Sequence, residues 1–194
     1  MSRAVDPRVL RSKARVLTSA LALLAQRGIT GTTIEAVAEH SGVAKTTIYR
    51  QWESQAALVL DAFDSILALP ADPATGSLRD DLVHLLTGFA EALRTSPATG
   101  MMFALVDAAE RDPAFAALHR RQADTRHQLV LDVITRGIDQ GELPADTDPA
   151  EVLDLLAGPI FHRRAVSGAP LDAAFAVRVV DRVLTAYRAG SSTL

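Results

Sequence analysis

Apolar residues return every three or four positions through most of this chain, the spacing of an amphipathic helix. Leu10, Ala14, Leu17, Leu21 and Leu24 make one such stripe. Asp6-Pro7 opens it, a cap followed by proline at the first helical position, and Gly28 closes it. Thr32-Thr33-Ile34-Glu35 reads as a capping box, in which the Thr32 hydroxyl accepts from a first-turn amide and Glu35 reaches back. Gly42 stops that short helix, a third runs from Lys45 to Gln51, and Ser54 caps a fourth that ends before Pro70. Ser77 starts a helix with Leu82, Leu85, Leu86, Phe89 and Leu93 on one side. Ser96-Pro97 and Asp112-Pro113 repeat the cap-plus-proline signal, and the second opens a long segment terminated at Gly141. Asp148-Pro149 opens another, which Gly158-Pro159 is expected to interrupt. Pro170 opens the last, to Arg188, and the tail Gly190 to Leu194 is expected to fray. No segment alternates as a strand does, so the spacing predicts an all-α chain of about nine helices.

Composition changes this picture little. The chain has 194 residues, 48% apolar and 22% charged, which is ordinary globular usage and excludes fibrous or wholly disordered classes. Its length suits one domain, or a small module fused to a larger one. The absence of cysteine excludes a disulfide scaffold, thiolate-held zinc and a thiol nucleophile. Met1 to Leu10 lacks a signal-peptide core and no apolar stretch has membrane-spanning length, so a cytoplasmic protein with no membrane partner is expected.

Charge changes it more. The net charge of −3 conceals an asymmetry. Residues 1–60 hold eight bases (Arg3, Arg8, Arg11, Lys13, Arg15, Arg27, Lys45, Arg50) against four acids (Asp6, Glu35, Glu39, Glu53), a balance of +4. The remainder carries −7. A basic first third on an acidic body suits a chain of which one module meets a polyanion.

Within that third, two short helices flank Ser41-Gly42-Val43-Ala44, a turn of the length that sets helices steeply across one another: a helix-turn-helix over about residues 33–52. Ala38 is small where the helices cross, and Val37, Val43 and Ile48 fill the wedge between them. Lys45, Thr46, Thr47, Tyr49, Arg50 and Gln51 remain for the outer face, all donors able to reach phosphates or base edges. Trp52 is expected in the core.

Ala20-Leu21, Gln26-Arg27-Gly28, Thr32-Thr33-Ile34, Val37-Ala38, Ser41-Gly42-Val43, Thr47-Ile48-Tyr49 and Ala57-Leu58 resemble the N-terminal signature of the TetR family of bacterial transcriptional regulators. More loosely, Arg136-Gly137, Gly141-Glu142-Leu143 and Gly158-Pro159-Ile160-Phe161-His162-Arg163-Arg164 look like one C-terminal subgroup of that family. The resemblance implies a DNA-binding domain over residues 8–69, with a ligand-binding and dimerisation domain over 70–190. It also implies a homodimer on double-stranded, near-palindromic operator DNA, an unidentified small-molecule effector, and no cofactor. Carried over by position, Thr32, Thr33, Thr47 and Tyr49 fall to phosphates or their caps, Lys45 and Thr46 to bases or backbone, and Arg50 and Gln51 to guanine and adenine edges. Two positions depart from the family's pattern: Ala44 replaces a capping Ser, and Gln55 replaces a Lys that would meet a phosphate.

For the effector, the apolar candidates are Phe89, Met101, Met102, Phe103, Phe115 and Phe161, with His162 as a polar addition. The flexible Met-Met-Phe run follows an expected break at Gly100. The dimer seam is expected on the last two helices through Val152, Leu155, Leu156, Ile160, Val177, Val180, Leu184 and Tyr187. The histidines His40, His84, His119, His127 and His162 never stand three or four residues apart, so no helical metal pair is expected. Asp72, Asp80 and Asp81 read as solvated linker, and no catalytic nucleophile, base or phosphate loop emerges. The function expected is therefore a sequence-specific DNA-binding regulator, a repressor released by a ligand. The alternatives are a non-specific architectural DNA binder, which a −7 body disfavours, and an all-helical enzyme, for which no clustered groups are found.

Overall fold

A computed structural model describes residues 7–66, 71–95 and 98–190, and every regular element among them is helical. These are α1 (Pro7–Arg27), α2 (Ile34–Ser41), α3 (Lys45–Gln51), α4 (Gln55–Asp64), α5 (Leu78–Thr95), α6 (Ala98–Arg111), α7 (Pro113–Asp139), α8 (Pro149–His162) and α9 (Ala173–Gly190). A single π-helical turn, Arg163–Ser167, follows α8. The cap expected at Asp6, the Ser96-Pro97 signal, the residues 67–70 after α4 and the tail beyond Gly190 lie outside the described residues.

The chain forms two compact units. One takes Met1–Ala68 with Pro97–Ala123, the other Leu69–Ser96 with Asp124–Leu194. The expected boundary between residues 69 and 70 therefore omits one exchange. Leu105 of α6 and Phe115 of α7 are buried in the same cluster as Val16, Leu23, Val37, Ile48, Leu58 and Phe63, so that stretch belongs with the first unit.

Within that unit the stripe of α1 is rotated from the one expected. Val16, Leu17, Ala20, Leu23 and Leu24 are buried, whereas Leu10 is 54% exposed and Ala14 is exposed. α1 meets α2 and α4, and its buried residues run from Val16 to Leu24. The cap of α2 also moves by one residue. Thr33, not Thr32, holds the extended cap conformation and accepts from the Ala36 amide at 3.1 Å. Glu35 is consequently one position early for the reciprocal bond of a capping box.

In the second unit α5 packs on α9 and α8, and α8 on α9. Gly158-Pro159 does not break α8. The helix continues through Pro159 to His162, because the forfeited amide bond is outweighed by the continuous buried row Val152, Leu156 and Ile160. The irregularity comes later, at the π-helical turn. Pro170 likewise does not open α9. Asp172 does, its carboxylate accepting from the Phe175 amide at 2.7 Å. Nor is Gly100 a break, since it lies inside the first turn of α6.

Candidate nucleic-acid interface

The reading head is built outward from a few buried residues. Val37, Ala38, Val43 and Ile48 are buried between α2 and α3, as their spacing predicts. Gly42 ends α2 with φ 64°, a left-handed conformation, and a Cβ there would lie 3.2 Å from Arg15 Nη2. Arg15 uses that nitrogen to donate to the Ser41 carbonyl, pinning the turn to α1, while the Ser41 hydroxyl accepts from the Val43 amide at 3.2 Å.

The far end of α3 is fixed as firmly. Trp52 caps it, with its amide donating to the Ile48 carbonyl at 2.9 Å. Its ring is buried and its Nε1 donates to Asp61 Oδ2 at 2.8 Å. Lys13 closes the arrangement, 2.9 Å from the same carboxylate and 5.9 Å from the centre of the indole. Ser54 accepts from the Ala57 amide at 3.1 Å and so starts α4, from which Asp61 projects.

Held in this way, α3 leaves Lys45, Thr46, Tyr49 and Arg50 exposed, and Thr47 and Gln51 half-buried. Tyr49 is 52% exposed, a large ring left outside the core with its hydroxyl in reach of solvent. Lys45 stands 3.6 Å from Glu35 across the two helices, an exposed and weak pair that a phosphate could displace. Ala44 gives α3 no side-chain cap. Thr33 is half-buried, and its hydroxyl hydrogen is not used by the cap bond it accepts.

Two expected contacts leave the set. Thr32 is fully buried and its hydroxyl donates to the Gly28 carbonyl at 2.8 Å, which ties the end of α1 to the start of α2. Gln55 is half-buried and its side-chain amide donates to the Ile29 carbonyl at 2.8 Å, so the amide that was to meet phosphate is already engaged. Ile29 lies in the link between α1 and α2, and its carbonyl also accepts from the Thr32 amide at 3.1 Å. No sequence pattern marks the Gln55 bond.

The remaining candidates divide between the units. Phe115 is a core residue of the first unit, Met101 and Met102 pack against that core, and Phe103 is half-buried in the same unit. Phe89 and Phe161 meet edge to face in the second unit, with ring centres 5.2 Å apart, and His162 is exposed. Of the expected seam, Val152, Leu156, Ile160, Val180 and Leu184 are buried within one protomer and cannot also cover a partner. Leu155 is exposed, and Val177 and Tyr187 are half-buried.

The second unit also holds a cluster that sequence reading misplaced. Asp81 is not solvated linker but 2% exposed, accepting from the Thr75 amide at 2.8 Å, the Thr75 hydroxyl at 2.7 Å and Arg136 at 2.9 Å. Burial raises its pKa, yet the Thr75 and Arg136 bonds outweigh burial and hold the carboxyl below its ordinary value. Arg136 also forks onto Asp72 at 2.8 and 3.0 Å. Glu142 accepts from the Leu78 amide at 2.9 Å, and Gly137 admits the Leu78 side chain, which a Cβ there would meet at 2.5 Å. The Arg136-Gly137 and Glu142 pattern is thus a clamp on the start of α5. No group of residues suited to hold a metal ion occurs among the described residues, and no described helix is long and apolar enough to cross a membrane.

Comparison with known proteins agrees with this geometry. Residues 16–62 match the bacterial regulatory proteins of the tetR family, and residues 72–183 match the tetracyclin repressor-like C-terminal domain. An uncharacterized HTH-type transcriptional regulator of Bacillus subtilis, YdeS, is 32% identical over 92% of this chain and 89% of its own. The DNA-binding transcriptional repressor TetR of Mycobacteroides abscessus is 32% identical over 88% of this chain and 90% of its own. Among solved structures, a TetR family transcription regulator superposes with a TM-score of 0.74 at 32% identity, covering 90% of this chain and 97% of that one.

Proposed function

This chain belongs to the TetR family and is a DNA-binding transcriptional regulator; on that premise we propose that it is a repressor, released from a palindromic operator when a small molecule binds its C-terminal body. The observation that supports this reading is the outer face of α3. Lys45, Thr46, Tyr49 and Arg50 are exposed donors on a helix whose turn, wedge and C-cap are each fixed by buried partners. Rigid donors on a helix suit major-groove readout. In the proposed contacts Arg50 and Gln51 meet base edges, while Thr33, Thr47 and Tyr49 hold phosphates and Lys45 and Thr46 serve either.

The working form is proposed to be a homodimer in the cytoplasm, using exposed and half-buried positions of α8 and α9 such as Leu155, Val177 and Tyr187. Release follows if the effector binds one arrangement of the two heads better than the other. Phe89 and Phe161 are the apolar contacts proposed for it. Anisotropy titrations of a labelled operator duplex test the reading. Phe161→Trp should abolish ligand release while leaving operator affinity unchanged, and lost affinity without ligand would make Phe161 a core residue only.

A further inference from the structure

At the far end of α8, the π-helical turn and Gly168 carry the chain around toward α9. Arg163 lies on the Phe175 ring with its guanidinium carbon 3.5 Å from the ring centre, and donates to the Pro170 carbonyl. Arg164 donates Nε to the Leu93 carbonyl at 3.1 Å. Leu93 is in the last turn of α5, and so is Arg94, which holds Glu91 through Nε at 2.9 Å and Nη2 at 2.7 Å. Arg94, Arg163 and Arg164 line one open cavity of about 220 Å³ with Gly168, Ala169 and Leu171.

Glu91 balances Arg94. Arg163 and Arg164 are anchored by neutral carbonyls and an aromatic face, and no ion pair to either occurs among the described residues. Capping the end of α5 accounts for the Nε of Arg164 but not for its two terminal nitrogens, nor for a second unpaired arginine beside it. Arg163 and Arg164 follow one another in the chain, in a body whose overall balance beyond residue 60 is −7. Their anchors also fix the forks before any ligand arrives, the condition under which arginine recognises carboxylate or phosphate best. The volume is below the roughly 300 Å³ at which drug-sized sites begin, which suits a small group.

We infer that this cavity binds a small polyvalent anion, a phosphate or polycarboxylate, through Arg94, Arg163 and Arg164. The site lies in the second unit and is independent of the operator reading, which rests on α3.

Calorimetric titration of the full chain with inorganic phosphate and with citrate, at constant ionic strength, tests it. Saturable binding of at least one is expected, with a raised melting temperature. Arg164→Gln and Arg94→Gln should each weaken it about tenfold, the loss of one charged hydrogen bond. Arg94 is exposed and its variant serves if Arg164→Gln fails to fold. Arg50→Ala should leave anion binding unchanged. Absence of saturable binding by both anions, binding unaltered in the two cavity variants, or loss caused by Arg50→Ala instead would overturn the inference.

Discussion

Gly42, Arg50 and Gln55 show how differently single residues of the reading head are constrained. Gly42 is fixed by backbone and by space, so Gly42→Ala should cost about 1–2 kcal/mol from the left-handed conformation alone, more if Arg15 must yield. Chemical denaturation would measure it. Arg50 is exposed and makes no hydrogen bond or ion pair among the described residues, so Arg50→Ala should leave stability unchanged. Its proposed loss is about 1–3 kcal/mol of binding, with relaxed preference at one base position. Uniform weakening on all duplexes would move Arg50 to a phosphate. Gln55 already donates to the Ile29 carbonyl, so Gln55→Lys should leave the salt dependence of operator binding as it is. A slope steeper by about 1.8, from two further phosphate contacts per dimer, would return residue 55 to the interface.

At the scale of elements, the cluster around Asp81 joins the end of α7 to the start of α5. Asp81→Ala would leave the Thr75 amide without its acceptor and the Thr75 hydroxyl with only the longer bond to the Ser77 carbonyl, and should destabilise the protein by about 2 kcal/mol or more. The carboxyl is held below its ordinary value, so its stabilising contribution is complete at neutral pH. It is lost as the pH falls below about 4, where the unfolded chain takes up the proton first. Stability of the wild type should therefore decline toward acid more steeply than that of Asp81→Asn, and equal slopes would contradict the assignment. Ser54, Asp148, Gly42 and Gly141 end or begin elements where the sequence predicts, whereas Gly100, Gly158-Pro159 and Pro170 do not. What was not legible needed a partner that the helical pattern does not name. Which of Thr32 and Thr33 caps α2 depends on the Gly28 carbonyl, and whether Asp81 is solvated depends on Arg136, 55 positions away.

For the whole molecule, an apolar stripe reports burial without saying what covers it. Val152, Leu156, Ile160, Val180 and Leu184 were legible as an apolar seam, but it is closed inside one protomer. The same ambiguity assigned Phe115 to a ligand cavity when it belongs to the core that supports α3. The helix-turn-helix escapes it, because its outer donors are recognised by what the core leaves out. These donors, carried on both protomers of the proposed dimer, should read a two-fold symmetric sequence. The most direct test is selection of bound duplexes from a random pool by the full chain at physiological salt. Enrichment of a near-palindrome is expected, its half-sites about 34 Å apart, one turn of duplex, with Arg50→Ala degrading one position symmetrically in both halves. Recovery of a pool with no shared sequence would contradict it.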